Sequence, residues 1–213
     1  MRFRLMVASI GLFAGVSFMV MLIIAVLLFT GTHLVHAFAP GFRQSMIDRI
    51  GEKPWRGLFS LVALAEFVFL VFAFGQARQS GIVLYTPPFW MAHITILLML
   101  IAMICLAASF FPPGKIARIA KHPMVLSVKI WALAHLLANG EAASVILFAG
   151  ILIWAVILRI SLARRERAGL LTRKPFVSAR YDAYAFILGI VLWGLFIWKL
   201  HVWLIGVPIQ FAA

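Results

Sequence analysis

The sequence predicts an all-α polytopic membrane helix bundle of about six transmembrane helices, and its composition carries the prediction. Of the 213 residues, 65% are hydrophobic and 12% are charged, and the mean hydropathy is +1.09. A soluble domain carries about 25% charged residues and about half apolar ones, so a soluble globular protein is excluded. The single cysteine, Cys105, also excludes a disulfide scaffold. The net charge of +13 is typical of basic loops beside a membrane, so we expect a lipid bilayer and no nucleic acid as the partner.

Six apolar segments account for the predicted helices. A transmembrane helix needs about 20 mostly apolar residues. The predicted spans cover residues 5–30, 57–75, 89–111, 123–139, 142–162 and 183–207. The fourth is the shortest and carries Lys129 and His135. We expect one integral membrane domain over residues 1–213, in which residues 1–17 are an apolar N-terminal extension.

The distribution of Lys and Arg predicts the orientation. Thirteen basic residues lie in the loops after the first, third and fifth spans, and three lie on the opposite side. The positive-inside rule therefore places those three loops in the cytoplasm and both termini in the periplasm. The most basic segment, residues 163–180, is expected to contact anionic lipid headgroups.

Four histidines are candidates for a functional site. His33 and His36 share one helix face at the cytoplasmic end of the first span, because they are three residues apart. His122 precedes Pro123 at the start of the fourth span, and His135 lies late in that span. Histidines inside a bilayer tend to face the bundle interior and mark functional sites, whereas the alternative role is an interhelical hydrogen bond. The residues alone leave both roles open.

Other polar groups in the spans support weaker hypotheses. Glu66 and Lys129 are charges well inside predicted helices that both begin at the cytoplasmic face, so the two side chains are candidates for a buried pair. His93 and His201 lie near the outer interface, where a structural hydrogen bond is favoured. The sequence contains no G-x-S-x-G, H-E-x-x-H, Walker or C-x-x-C motif, so it leaves enzymatic activity open.

Five blocks follow one another along the chain: Gly51-Glu52 with residues 57–64, residues 75–78, Pro87-Pro88 with Trp90 and His93, His122-Pro123-Met124 with residues 129–140, and residues 203–207. In this order they resemble the bacterial NnrU family, over residues 18–207. The family is named for a link to nitric oxide and nitrate metabolism in denitrifying bacteria. Its relative, the plant zeta-carotene isomerase, is a membrane enzyme that uses heme b and converts one cis double bond to trans. The resemblance implies a bacterial inner membrane protein.

This resemblance implies heme b with two axial histidines, one at the end of the first helix and one in the fourth-helix block. The second ligand corresponds to His135. The first stays open, because His33 fits the spacing to Arg43 in the bacterial members and His36 fits the shorter spacing of the isomerase. Ala132 stands where the plant enzyme has a cysteine, so a thiolate ligand is excluded at that position.

Depth along the helices favours a different pair. If the first helix is regular to Ala39, His33 lies about 9 Å inside its end, whereas His135 lies about 18 Å beyond Pro123. His122 would match His33 or His36 better in depth, without support from the family. We keep His135 with His33 or His36 as the tentative axial pair and His122 as the competing ligand.

A second, weaker resemblance is to the isoprenylcysteine methyltransferase group, through His122-Pro123 and Arg159. The acidic pair that follows the arginine in that group is replaced here by Leu162 and Ala163. The leading expectation is therefore a heme b-binding NnrU-like protein of nitrogen-oxide metabolism, or a redox-type cis-trans isomerase of a lipophilic polyene. The alternatives are a non-enzymatic regulatory or accessory membrane protein and a membrane methyltransferase relative.

Overall fold

The computed structural model describes residues 2–207 and Ile209, and it places the side chains of residues 15–35, 37–207 and 209. The described residues are helical apart from loops and one isolated antiparallel bridge between Val83 and Glu141. The prediction of an all-α polytopic membrane bundle is confirmed. In the part of the chain that the structure describes, five helices are long and apolar enough to cross a membrane: Gly15–Val35, Glu52–Arg78, Trp90–Ala108, Ala142–Arg167 and Arg180–Ile205.

The helices start and stop where the sequence changes its chemistry. Pro123 occupies the first turn of the helix Pro123–Ala138, and Gly206, with a φ of +77°, ends the helix His201–Ile205. Proline suits the first turn because a backbone N–H at that place would have no partner within the helix, so no hydrogen bond is lost. Glycine suits the end because it tolerates positive φ. In chain order the helices are α1 (Arg2–Phe38), α2 (Pro40–Ile50), α3 (Glu52–Arg78), α4 (Trp90–Ala108), α5 (Lys115–Ala120), α6 (Pro123–Ala138), α7 (Ala142–Arg167), α8 (Arg180–Leu195) and α9 (His201–Ile205), with a π-helical segment, Phe196–Leu200, between α8 and α9.

Three predicted spans differ from the observed helices. The first helix continues past residue 30 to Phe38, and the predicted loop after it contains the second helix, α2. The fourth span is a helix of 16 residues, which is about 24 Å and falls short of the apolar core of about 30 Å. The last span is interrupted by the π-helical segment, which adds one residue to a turn.

The chain forms two compact units. The first unit contains α1, α2, α3 and the part of α7 up to Trp154. In it α1 packs against α3, and the fully buried residues Ala25, Ala73 and Ala77 have small side chains. Small residues let helix backbones approach, which is the main source of packing energy in a bilayer.

The second unit contains α4, α5, α6, the rest of α7 and the helices from α8 onward. Here α4 packs against both α6 and α8. The Thr95 hydroxyl donates to the Ala134 carbonyl at 3.0 Å, and the Trp193 indole Nε1 donates to the Ile96 carbonyl at 3.0 Å. These side chains therefore tie α4 to each neighbouring helix by a hydrogen bond to a backbone carbonyl.

Candidate functional site

His33 lies on α1 of the first unit, within a group of aromatic rings. Its Nδ1 is 2.7 Å from the Phe29 carbonyl oxygen. Its ring centroid lies 4.4 Å from that of Phe29, 5.8 Å from that of Phe59 and 6.1 Å from that of Trp154. A carbonyl oxygen can only accept, so Nδ1 carries the proton and Nε2 carries the lone pair of the neutral imidazole.

Two polar groups beside His33 lack a hydrogen-bond partner among the described residues. The hydroxyl of Thr32 donates to Glu66 Oε1 at 2.6 Å, whereas Glu66 Oε2 is buried and has no partner there. The ring of Trp154 contacts that of His33, and its indole Nε1 is also buried without a hydrogen-bond partner among the described residues. Buried polar atoms are nearly always hydrogen-bonded, so two such atoms around one histidine indicate a place where a ligand binds.

His135 lies on α6 of the second unit and makes the same kind of bond as His33. Its Nδ1 is 2.9 Å from the Trp131 carbonyl oxygen, one turn earlier on the helix, and its ring centroid is 5.1 Å from that of Trp131. The side-chain amide of Asn139 donates to the His135 carbonyl at 2.9 Å, which helps to end the helix. His135 Nδ1 therefore also carries the proton.

His33 and His135 each have a hydrogen-bonding pattern that is common among histidines that bind metal. Histidines that bind metal through one ring nitrogen usually donate the other N–H to a carbonyl or carboxylate, which orients the ring and strengthens the ligand. Both His33 and His135 donate through Nδ1 and hold Nε2 in its ligating form. The donor chemistry of each therefore suits an axial ligand of heme iron. Among the described side chains no group of three His, Cys, Asp or Glu residues could hold a metal ion by itself.

His122 is engaged differently. Its Nε2 lies 2.6 Å from Glu166 Oε1, and Arg173 Nε lies 3.5 Å from the other oxygen of that carboxylate. Only 18% of the His122 side chain and 13% of the Glu166 side chain are exposed. Because a carboxylate accepts, His122 donates through Nε2, whereas His33 and His135 donate through Nδ1. His122 therefore belongs to a cluster with Glu166 and Arg173 at the N-terminus of α6.

The structure places the other histidines in α1, α4 and α9. His36 lies in α1, and its side chain is outside the described residues. The His93 ring makes an edge contact with Phe89 at 5.3 Å between centroids, and His201 Nδ1 lies 2.7 Å from the Val207 carbonyl oxygen. The role of each of these histidines, like that of the axial pair, stays a prediction.

Sequence reasoning identified Glu66 but missed Trp154. Glu66 stood out because a charge within a span is rare, and its pairing with Lys129 stays a prediction. Trp154 gave no signal, since tryptophan is common in membrane helices and only its neighbours show that its N–H is unpaired.

A surface depression of about 480 Å³ has no histidine among its lining residues. It belongs to the second unit, between the loop that follows α4 and the segment before α8. Prolines and main-chain turns dominate it, so it adds no chemistry to the site. Its lining residues are Ser109–Pro113, Lys174, Pro175 and Val177.

The helices define a multi-pass membrane protein, and two of its apolar helices carry a histidine that donates a hydrogen bond from Nδ1 to a backbone carbonyl. The NnrU protein family model matches residues 21–209, which is most of the chain, so this protein belongs to the NnrU family. The resemblance drawn from the sequence blocks is thereby confirmed. Searches of curated proteins and of solved structures found no match.

Proposed function

We propose that this NnrU family protein binds heme b, with His135 and His33 as axial ligands. The observation that carries the proposal is the shared Nδ1 hydrogen bond to the carbonyl one turn earlier, which leaves Nε2 of each ring in its ligating form. The choice of these two as a pair comes from the family resemblance. His36 is the alternative to His33, and His122 is the competing ligand from the depth argument.

The residues around each histidine supply orientation and a dry environment. Phe29 and Phe59 contact the His33 ring on α1, and Trp131 contacts the His135 ring on α6. Apolar rings exclude water from the ligand nitrogen and restrict rotation of the imidazole. When bound, heme b supplies one-electron redox chemistry in such a site.

The biological role that we propose is a part in nitrogen-oxide metabolism or redox-type cis-trans isomerisation of a lipophilic polyene. The first role rests on membership of the NnrU family, and the second on the resemblance to the plant isomerase. We also propose the bacterial inner membrane, with both termini periplasmic, because the predicted cytoplasmic loops hold thirteen basic residues against three on the other side.

Heme content of purified variants tests the cofactor. The wild type and the single alanine variants of His33, His36, His122 and His135 are purified in detergent from cells with ample heme, and heme per protein and the Soret spectrum are recorded. His93→Ala is the control, because this ring packs against Phe89. We expect His33→Ala and His135→Ala to lose the six-coordinate spectrum, and added imidazole to restore it.

The other results would contradict the proposal in defined ways. A wild type without heme would refute the cofactor. If His36→Ala loses heme and His33→Ala keeps it, the first ligand is His36, which lies one turn further along the helix. If only His122→Ala loses heme, His122 is the ligand. The depth of the histidines along their helices, and not the hydrogen bond from Nδ1, would then identify the ligand.

A further inference from the structure

Glu66 and Trp154 offer complementary hydrogen-bonding groups beside His33. The Thr32 hydroxyl already donates to one carboxyl oxygen of Glu66, and the second oxygen, Oε2, has no donor among the described residues. The Trp154 indole N–H is a donor without an acceptor there. Thr32, which holds Glu66, adjoins His33 in the chain, and the Trp154 ring contacts that of His33.

A hydroxyl group has the hydrogen-bonding chemistry that both of these groups require. It donates its hydrogen to a carboxyl oxygen and accepts from an N–H through its lone pairs. A hydrocarbon polyene does neither, and an ether or ester oxygen can satisfy only the Trp154 N–H. Since Glu66 lies in a helix long and apolar enough to span a membrane, the ligand must be soluble in the bilayer.

The rings near these groups favour a flat headgroup. Phe29, Phe59 and Trp154 all lie within ring-contact distance of His33. Aromatic side chains bind planar conjugated molecules by stacked and edge-to-face contacts. We therefore propose that Glu66 and Trp154 bind the hydroxyl group of a lipophilic aromatic alcohol of the phenol or quinol type. This inference goes beyond the proposed function and does not require heme.

The first part of the test compares three ligands that differ in one group. Binding of tritiated para-decylphenol, para-decylanisole and decylbenzene is measured on the full-length protein in lipid nanodiscs. We expect saturable binding in that order of affinity, with about tenfold between the phenol and its methyl ether because the ether cannot donate. Equal affinity for the phenol and decylbenzene, or no saturable binding, would overturn the inference.

The second part changes the protein groups. Trp154→Phe keeps a ring and removes the N–H, and Glu66→Leu removes the acceptor; each is expected to weaken phenol binding about tenfold. Glu66→Gln keeps one acceptor oxygen, which the Thr32 hydroxyl already uses, and replaces the other by an amide donor, so it is also expected to weaken phenol binding. Trp198→Phe is the matched control, because the Trp198 side chain is exposed in the second unit.

The variants also separate misfolding from loss of the site. If Glu66→Leu does not fold, Trp154→Phe and Glu66→Gln decide the result. Wild-type affinity in Trp154→Phe would refute the role of the indole N–H, and wild-type affinity in Glu66→Gln would refute an acceptor role for the second carboxyl oxygen. Heme is quantified on the same samples, so phenol binding without heme would refute the proposed cofactor and leave this inference standing.

Discussion

Adding one methyl group at Gly189 on α8 should clearly lower the free energy of unfolding. A Cβ at this position would lie 2.7 Å from the Ile104 Cα and 2.9 Å from its backbone nitrogen. Carbon atoms pack at about 3.5–4.0 Å, so α8 would have to move away from α4 by about 1 Å. The obstacle is backbone, which cannot change rotamer. Overpacking of this kind costs about 1–3 kcal/mol.

The Gly189→Ala variant is measured against Gly194→Ala, on the same helix. A Cβ at Gly194 meets nothing within 4 Å, so this control isolates the gain of up to about 1 kcal/mol that alanine brings to a helix. We expect the free energy of unfolding, from SDS titration in mixed micelles followed by circular dichroism, to be about 1–3 kcal/mol lower for Gly189→Ala than for Gly194→Ala. Equal stability of the two variants would refute the close approach of α4 and α8.

Three further perturbations test the loops, a buried hydrogen bond and the topology. Gly140→Ala should lower the free energy of unfolding by about 3 kcal/mol, because its Cβ would overlap the Tyr85 carbonyl oxygen. Trp193→Phe should lower it by about 1 kcal/mol, through loss of the bond from its indole Nε1 to the Ile96 carbonyl. A reporter fused after Arg167 should behave as cytoplasmic and one fused at the C-terminus as periplasmic, since the loop after the fifth span is the most basic.

The two substitutions each have a matched control. Gly75→Ala should be neutral or stabilising, because no atom lies within 4 Å of its Cβ position. Trp198→Phe removes an indole whose side chain is 73% exposed. A Gly140→Ala variant as stable as Gly75→Ala, or a Trp193→Phe variant as stable as Trp198→Phe, would contradict the contacts described. Both reporters on one side would exclude the six-span topology.

The sequence predicted the positions of the spans because membrane crossing depends on local hydropathy. It missed α2 because residues 40–50 are polar, although Pro40 and Gly51 mark the two ends of that helix. It could not predict the π-helical turn at Phe196–Leu200, since nothing local distinguishes that segment from the rest of an apolar helix.

The candidate site was predicted only as far as residue types allow. His33 and His135 are visible in the sequence as histidines within apolar helices. Which ring nitrogen carries the proton depends on the rotamer that brings Nδ1 to a carbonyl, and the sequence does not state it. The unpaired indole of Trp154 depends equally on neighbours from other helices.

The protonated nitrogen is what separates the competing histidines. Iron can bind Nε2 of His33 or His135 while each keeps its Nδ1 bond, so ligation preserves a hydrogen bond that orients the ring. His122 would have to give up its bond to Glu166 to offer Nε2, so ligation there would break a hydrogen bond that orients the ring. The local chemistry therefore favours His33 and His135 over His122, and the alanine series decides between them by heme content.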